Sequence, residues 1–340
     1  MAVSAQVVGV VAFYMVAALV MVFVNKVVLN STPNLPTLFM FFQSIMTVLL
    51  LNLTALFTSH VKIPSFDSAS TVRKLAPLIL VDASGFIFNA LCLRDVEAAF
   101  YQIARGLVLP LTIAVVALTS LTRPAAPVVA CAAIVTLGFF LGISFSDGLP
   151  ASAVPAPLAL FYGFLSSLAI ALHAVLVKSS LPHVGGSSTM LSYYSNLGSA
   201  VLLGTLALLK GEVHEFAGMV NSGGWDWSTF LYGNLVTGVF GFLISIAGIL
   251  SVKVTSPTTH MFSSAARTGL QVFLGVKIFG DVFTTQRALS VATILTGTLL
   301  YTWVKHRESS APPAPTTSVK DLEAQEPLME NEKPTPAGNQ

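Results

Sequence analysis

The sequence predicts an all-α membrane protein of ten transmembrane helices, arranged as two inverted five-helix repeats with both termini in the cytosol. Three observations carry that expectation. Hydrophobic residues make up 54% of the chain and charged ones only 9%, against roughly 25% charge in an ordinary soluble domain. Apolar runs of about the 20 residues that a helix needs to cross a bilayer recur along the chain. Two arginines, Arg105 and Arg267, lie inside such runs within similar local text, Ile103-Ala-Arg-Gly-Leu107 and Ala265-Ala-Arg-Thr-Gly-Leu270.

In chain order the runs fall at roughly 7–29, 36–58, 75–93, 98–120, 127–145, 157–178, 190–209, 229–251, 257–279 and 284–304. The first has neither a basic stretch before it nor a polar cleavage stretch after it, so it reads as a retained span and not as a signal peptide. An even number of spans puts both termini on one side. The loops on that side hold Lys62, Arg73, Lys74, Arg123, Lys178 and Lys253, followed by Lys305 and Arg307, whereas the opposite loops hold little more than Arg94, Lys210, Lys277 and Arg287. The positive-inside rule therefore places the termini in the cytosol and the acidic, Trp-containing loop 210–228 in a lumen. The ten-span body covers 1–307, with repeats at about 7–145 and 157–304. Residues 308–340, rich in Pro, Ser, Thr and Glu, hold too little apolar surface to fold and are expected to form a disordered cytosolic tail.

An arginine near the bilayer centre costs about 2.5 to 3.5 kcal/mol on insertion scales, so it persists where it faces a polar cavity or an anion. Arg105 belongs to the fourth predicted span and Arg267 to the ninth, so their helices run in opposite directions. At 1.5 Å per residue both reach the midplane zone, about 10 and 15 Å in from opposite ends. Inverted repeats with binding groups at the midplane are the usual construction of secondary transporters.

Other polar groups in the spans are weighed against that cavity. Lys26 either snorkels to the luminal interface or joins the site. Tyr101 lies four residues before Arg105, on the same helical face. Asp82 is either a proton carrier or the partner of a buried cation or a helix kink. His173 and His260 are hydrogen-bonded interior residues or ligands, and His260 sits two turns before Arg267 on one face. Ser192-Tyr-Tyr-Ser-Asn196 opens the seventh span, where Tyr often forms an interfacial belt. Thr255-Ser-Pro-Thr-Thr-His260 leads into the ninth, with the proline at its first turn.

Several classes drop out. A net charge of +2 and the lack of any basic patch with interleaved aromatics argue against nucleic-acid binding. Cys92 and Cys131, far apart and both within spans, give no disulfide framework and no metal-ligand spacing. The chain has no Gly-x-Ser-x-Gly, no His-Glu-x-x-His and no paired aspartates in its spans, so no catalytic residue, metal or cofactor is expected.

The chain resembles the nucleotide-sugar transporters of the drug/metabolite transporter superfamily, most closely the GDP-fucose transporter branch. The resemblance covers nearly all of 7–307. It rests on Met21-Val-Phe-Val-Asn-Lys26, Ala99-Phe-Tyr-Gln-Ile-Ala-Arg105, Leu172-His-Ala-Val-Leu-Val-Lys178 with Leu181-Pro182, Thr255-Ser-Pro-Thr-Thr-His260 and Tyr301-Thr-Trp-Val-Lys305. It implies an antiporter of the Golgi or endoplasmic reticulum membrane that brings a cytosolic nucleotide sugar into the lumen and returns the nucleoside monophosphate. Those two ligands and membrane lipid are the expected partners, and a homodimer is left open.

The resemblance also places Arg105 and Arg267 at the phosphate end of the ligand, where guanidiniums engage a pyrophosphate bidentately. Tyr101, Lys26 and His260 are assigned to the sugar and phosphate end, and Tyr194, Ser195 and Asn196 to the nucleobase. Departures from the family pattern bear on that base. GDP-sugar transporters generally show Phe-Tyr-Asn-Asn where this chain has Tyr193-Tyr-Ser-Asn196, and a Gly-based motif ending in Lys where it has Ser264-Ala-Ala-Arg267. The Phe-Tyr-Gln of the fourth span and the pair Arg267-Thr268 look like features of UDP-xylose carriers. Similarity as a whole favours GDP-fucose, with a UDP-sugar as the alternative, and Ser195, Asn196 and Ser264 carry the discrimination.

Overall fold

Apolar runs in a bilayer satisfy their backbone internally as helices, and this chain does so throughout its described length. The computed structural model describes the backbone of residues 5–58, 69–143, 154–223, 225, 227–254 and 257–310; the side chains of 5–8, 10, 69, 245–265 and 309–310 fall outside the description. The helices are α1 (Ala5–Ser31), α2 (Pro36–Phe57), α3 (Ala69–Asp95), α4 (Ala98–Ala104), α5 (Val108–Ser120), α6 (Ala126–Ile143), α7 (Pro157–Ser180), α8 (Ser188–Leu209), α9 (Glu212–Ser222), α10 (Trp227–Val254), α11 (Pro257–Phe279) and α12 (Thr285–Ser310). Among the described residues, eight stretches are long and apolar enough to cross a membrane, with α4, the turn after it and α5 counting as one. The sequence also predicts spans at α8 and α11, which are not among the eight. Serines 188, 192 and 195 and Asn196 lower the apolar character of the first half of α8, and much of α11 lies outside the described side chains.

Two features depart from the sequence expectation. The fourth predicted span is broken: α4 passes into a 3-10 turn, Arg105–Leu107, before α5 resumes. The cause is Pro110, which offers no N–H to the carbonyl of Gly106 and whose ring crowds that carbonyl. The loop predicted at 210–228 contains α9, entered through Gly211 at φ 77° and left through Gly223 at φ 66°. Phe216 of α9 and Trp225 pack edge-on at 5.6 Å between ring centres, and both lie against Phe230 of α10.

Helices from the two ends of the chain interleave. α1 packs on α10, α2 on α8 and α10, α3 on α7 and α8, α4 on α11, and α5 on α7. Close approach relies on small residues, as is usual where lipid removes the hydrophobic drive between helices. A Cβ added at Gly233 of α10 would sit 2.0 Å from Val28 Cγ2 of α1. The largest buried cluster joins Leu29, Phe39, Leu93, Phe100, Tyr101 and Phe230. The chain divides into two units, Met1–Val304 and Lys305–Gln340. Of the tail expected at 308–340, residues 311–340 lie outside the described residues. Cys92 and Cys131 are both free and buried.

Candidate ligand site

The break in the fourth span sets Arg105 at the first position of the 3-10 turn. The Ala104 carbonyl, where the turn begins, accepts a hydrogen bond from Ser167 Oγ of α7 at 3.2 Å. The half-buried Arg105 guanidinium lies over the Tyr101 ring, 5.5 Å from its centre. Tyr101 is buried, and its hydroxyl donates to Asn89 Oδ1 of α3. The two residues that the sequence put on one helical face thus do meet.

Arg267 comes from the other half of the chain, on α11, which packs on α4. It stands within electrostatic reach of Arg105 and of the Tyr14 and Tyr101 hydroxyls. Its Nε is buried and finds no hydrogen-bond partner among the described residues. Neither arginine has a salt bridge to an acid among the described residues. Two guanidiniums in a poorly screened interior repel one another unless an anion comes between them.

One turn from each arginine, toward the end of the bundle where α1, α3 and α11 finish, sits a glutamine. Gln102 of α4 donates to Gln271 of α11, and Gln271 donates in turn to the Ala98 carbonyl at 3.4 Å. Beyond this amide pair the same end is tied by charge. Glu97 accepts from the Val282 N–H at 3.1 Å and pairs with Arg287, whose guanidinium also lies 5.3 Å from the centre of the Phe100 ring. Asp281 accepts from the Ala99 N–H at 2.7 Å, capping α4. Burial pushes the Asp281 carboxyl above the usual carboxylate range, and that N–H partly offsets the effect.

Lys26 belongs to this network. Its ammonium donates to the carbonyls of Leu93, Arg94 and Val96 at 2.8, 3.1 and 2.7 Å, which uses all three of its donors to cap the end of α3. It is buried, and does not snorkel outward. Nearby, Glu212 accepts from the Leu38 N–H at 2.7 Å and from Lys210 at 2.5 Å.

The remaining expected site residues separate. Asp82 of α3 engages His173 Nδ1 of α7 through one carboxylate oxygen and accepts from Ser195 Oγ of α8 through the other. Tyr194 is buried in an apolar cluster with Leu75, Leu78, Ile79 and Leu191. The Asn196 amide donates back to Ser192 of its own helix, to the carbonyl at 2.8 Å and the hydroxyl at 3.3 Å. His260 and Ser264 lie on α11, with side chains outside the described residues. Sequence reasoning passed over Tyr14, Asn89, Gln271 and Glu97, met Gln102 only within the Phe-Tyr-Gln of the fourth span, and counted Arg287 only as a loop charge. A glutamine three residues before Arg105 and another four after Arg267 was the available signal for two of them.

No family model matches the chain. Among curated proteins it is 31% identical over 311 residues to GDP-fucose transporter 1 of Mus musculus, covering 88% of this chain and 83% of that one. It is 33% identical over 299 residues to an uncharacterized transporter of Schizosaccharomyces pombe, covering 86% and 73%. It is 29% identical over 309 residues to a protein of Drosophila melanogaster named GDP-fucose transporter, Golgi, covering 88% and 90%. One solved crystal structure aligns at a TM-score of 0.51 and 14% identity over 87% of this chain and 99% of that one, a likeness of fold alone. Fold and relatives together define a multi-pass membrane transporter, and the relatives are transporters and not enzymes. The chain belongs to the nucleotide-sugar transporter family.

Proposed function

We propose that this protein is a nucleotide-sugar antiporter that carries GDP-fucose from the cytosol into the Golgi lumen and returns GMP. The observation that carries the reading is the pair Arg105 and Arg267, drawn from the two halves of the chain onto adjoining elements, neither with a salt bridge to an acid among the described residues. A pyrophosphate or a monophosphate supplies the missing negative charge, and bidentate contacts to guanidiniums hold it. The names of the relatives support GDP-fucose as the cargo, and that of the Drosophila relative supports the Golgi.

In this reading ten spans form two inverted repeats of about 7–145 and 157–304, with the termini cytosolic and α8 and α11 among the spans. The end tied by Lys26, Glu97, Asp281 and Arg287 is then luminal, and the conformation is one closed to the lumen. Without a ligand the two cations repel, which raises the barrier to the return of an empty carrier and makes exchange obligatory. Tyr101 positions Arg105, while Lys26 approaches the ligand only after giving up its three carbonyls. His260 and Ser264 are assigned to the cavity from their places on α11.

The test uses purified protein in liposomes preloaded with GMP, with UMP or with nothing. Labelled GDP-fucose enters GMP-loaded vesicles and not empty ones. Preferential uptake of UDP-xylose into UMP-loaded vesicles would establish the UDP-sugar alternative, to which the Ser195 position also points. Equal uptake into empty vesicles would exclude obligate exchange.

A further inference from the structure

Three helices bring a carboxylate, an imidazole and a hydroxyl to one point away from the arginines. Asp82 is the meeting place: His173 reaches it from α7 and Ser195 from α8. The Asp82 side chain is 8% exposed while the His173 ring is 45% exposed, so the cluster is buried on one side and accessible on the other. Two more hydroxyls lie on the same helical faces. Ser166 precedes His173 by two turns on α7 and Ser199 follows Ser195 by one turn on α8. Both are buried, and their Oγ atoms find no hydrogen-bond partner among the described residues.

The cluster also has a defined spacing from the phosphate end. Asn89, which holds the Tyr101 hydroxyl beneath Arg105, lies seven residues after Asp82 and hence on the same face of α3. Seven residues of helix are about 10 Å, comparable to the span of a mononucleotide from its phosphate to the far edge of its base.

We infer that Asp82, held by His173 and Ser195, reads the nucleobase and selects guanine. A carboxylate only accepts hydrogen bonds, and its two oxygens have lone pairs to spare beyond the two contacts seen here. Guanine presents two adjacent donors, N1–H and the 2-amino group, that match it side by side. Uracil presents a single N–H between two carbonyls, which would face the carboxylate in repulsion. The Ser195 hydroxyl is already given to Asp82, so it is the acid that supplies the acceptors. The inference rests on the proposed exchange of guanine nucleotides and names the group that makes it specific.

Inosine monophosphate, which lacks only the 2-amino group, tests this directly. In GMP-loaded liposomes taking up labelled GMP, wild-type protein discriminates unlabelled GMP from IMP by about tenfold or more, the value of a hydrogen bond to a charged group. Asp82→Asn brings the two competitors within about threefold. Should that variant not fold, Ser195→Ala, which removes the anchor from α8, lowers the preference at least about threefold. GMP and IMP competing equally in the wild type, or an unchanged preference in whichever variant folds, overturns the inference. Exchange of UMP in place of GMP also overturns it while leaving nucleotide exchange intact. If no nucleotide is exchanged, the antiporter reading fails, and the thermal shifts given by GMP and IMP in detergent, unequal or equal, decide the base assignment separately.

Discussion

At the scale of single residues, Arg105 and Arg267 stand out because a guanidinium in a bilayer has an energetic cost that demands a partner. Gln102, Gln271 and Asn89 incur no such cost, so only the spacing of the two glutamines from the arginines pointed to the amide pair, and nothing flagged the support beneath Tyr101. Tyr194, Ser195 and Asn196 adjoin in sequence, yet helical rotation sends them to an apolar cluster, to Asp82 and back to Ser192. Replacing either Arg105 or Arg267 by Ala is expected to slow GMP exchange in liposomes about 10- to 100-fold, the range of one lost charge-assisted interaction. Lysine should fall between, since it keeps the charge and loses the fork. Alanine variants that exchange at the wild-type rate would remove both residues from the phosphate end.

At the scale of elements, hydropathy found the apolar helices but not their interruptions. Pro110 was visible in the sequence, but apolar residues on both sides made the fourth span look continuous. Only the backbone shows that the 3-10 turn falls on Arg105. Helix α9 was missed because its 11 residues include two glutamates and a histidine, a composition that hydropathy assigns to a loop. Restoring the helix tests what the break does. Pro110→Ala lets the Gly106 carbonyl take its i+4 N–H, which is worth up to about 3 kcal/mol in a helix interior. The variant should melt no lower than the wild type while exchanging about tenfold more slowly, because Arg105 turns by about 20° for each residue that passes from 3-10 to α winding. Undiminished exchange would show that the break serves packing alone.

At the scale of the whole molecule, the sequence indicated a charge-poor helical bundle, but it did not indicate which end is tied. That depends on pairings between residues almost 200 positions apart, such as Glu97 with Arg287 and Ala99 with Asp281. Glu97→Gln leaves the Arg287 guanidinium short of its acid, a loss of about 3 kcal/mol or more for a buried pair, and should shift the population toward a form open at that end. Cys92, fully buried in the closed end, is the reporter. In a Cys131→Ser background its maleimide labelling should rise at least about tenfold, and an unchanged rate would mean that the pair does not hold the closed form. The Lys26 clasp differs from that pair in kind, because its three hydrogen bonds go to backbone carbonyls. No side-chain substitution at Leu93, Arg94 or Val96 removes those acceptors, so the clasp tolerates change on the α3 side and is opened by a change at Lys26 itself.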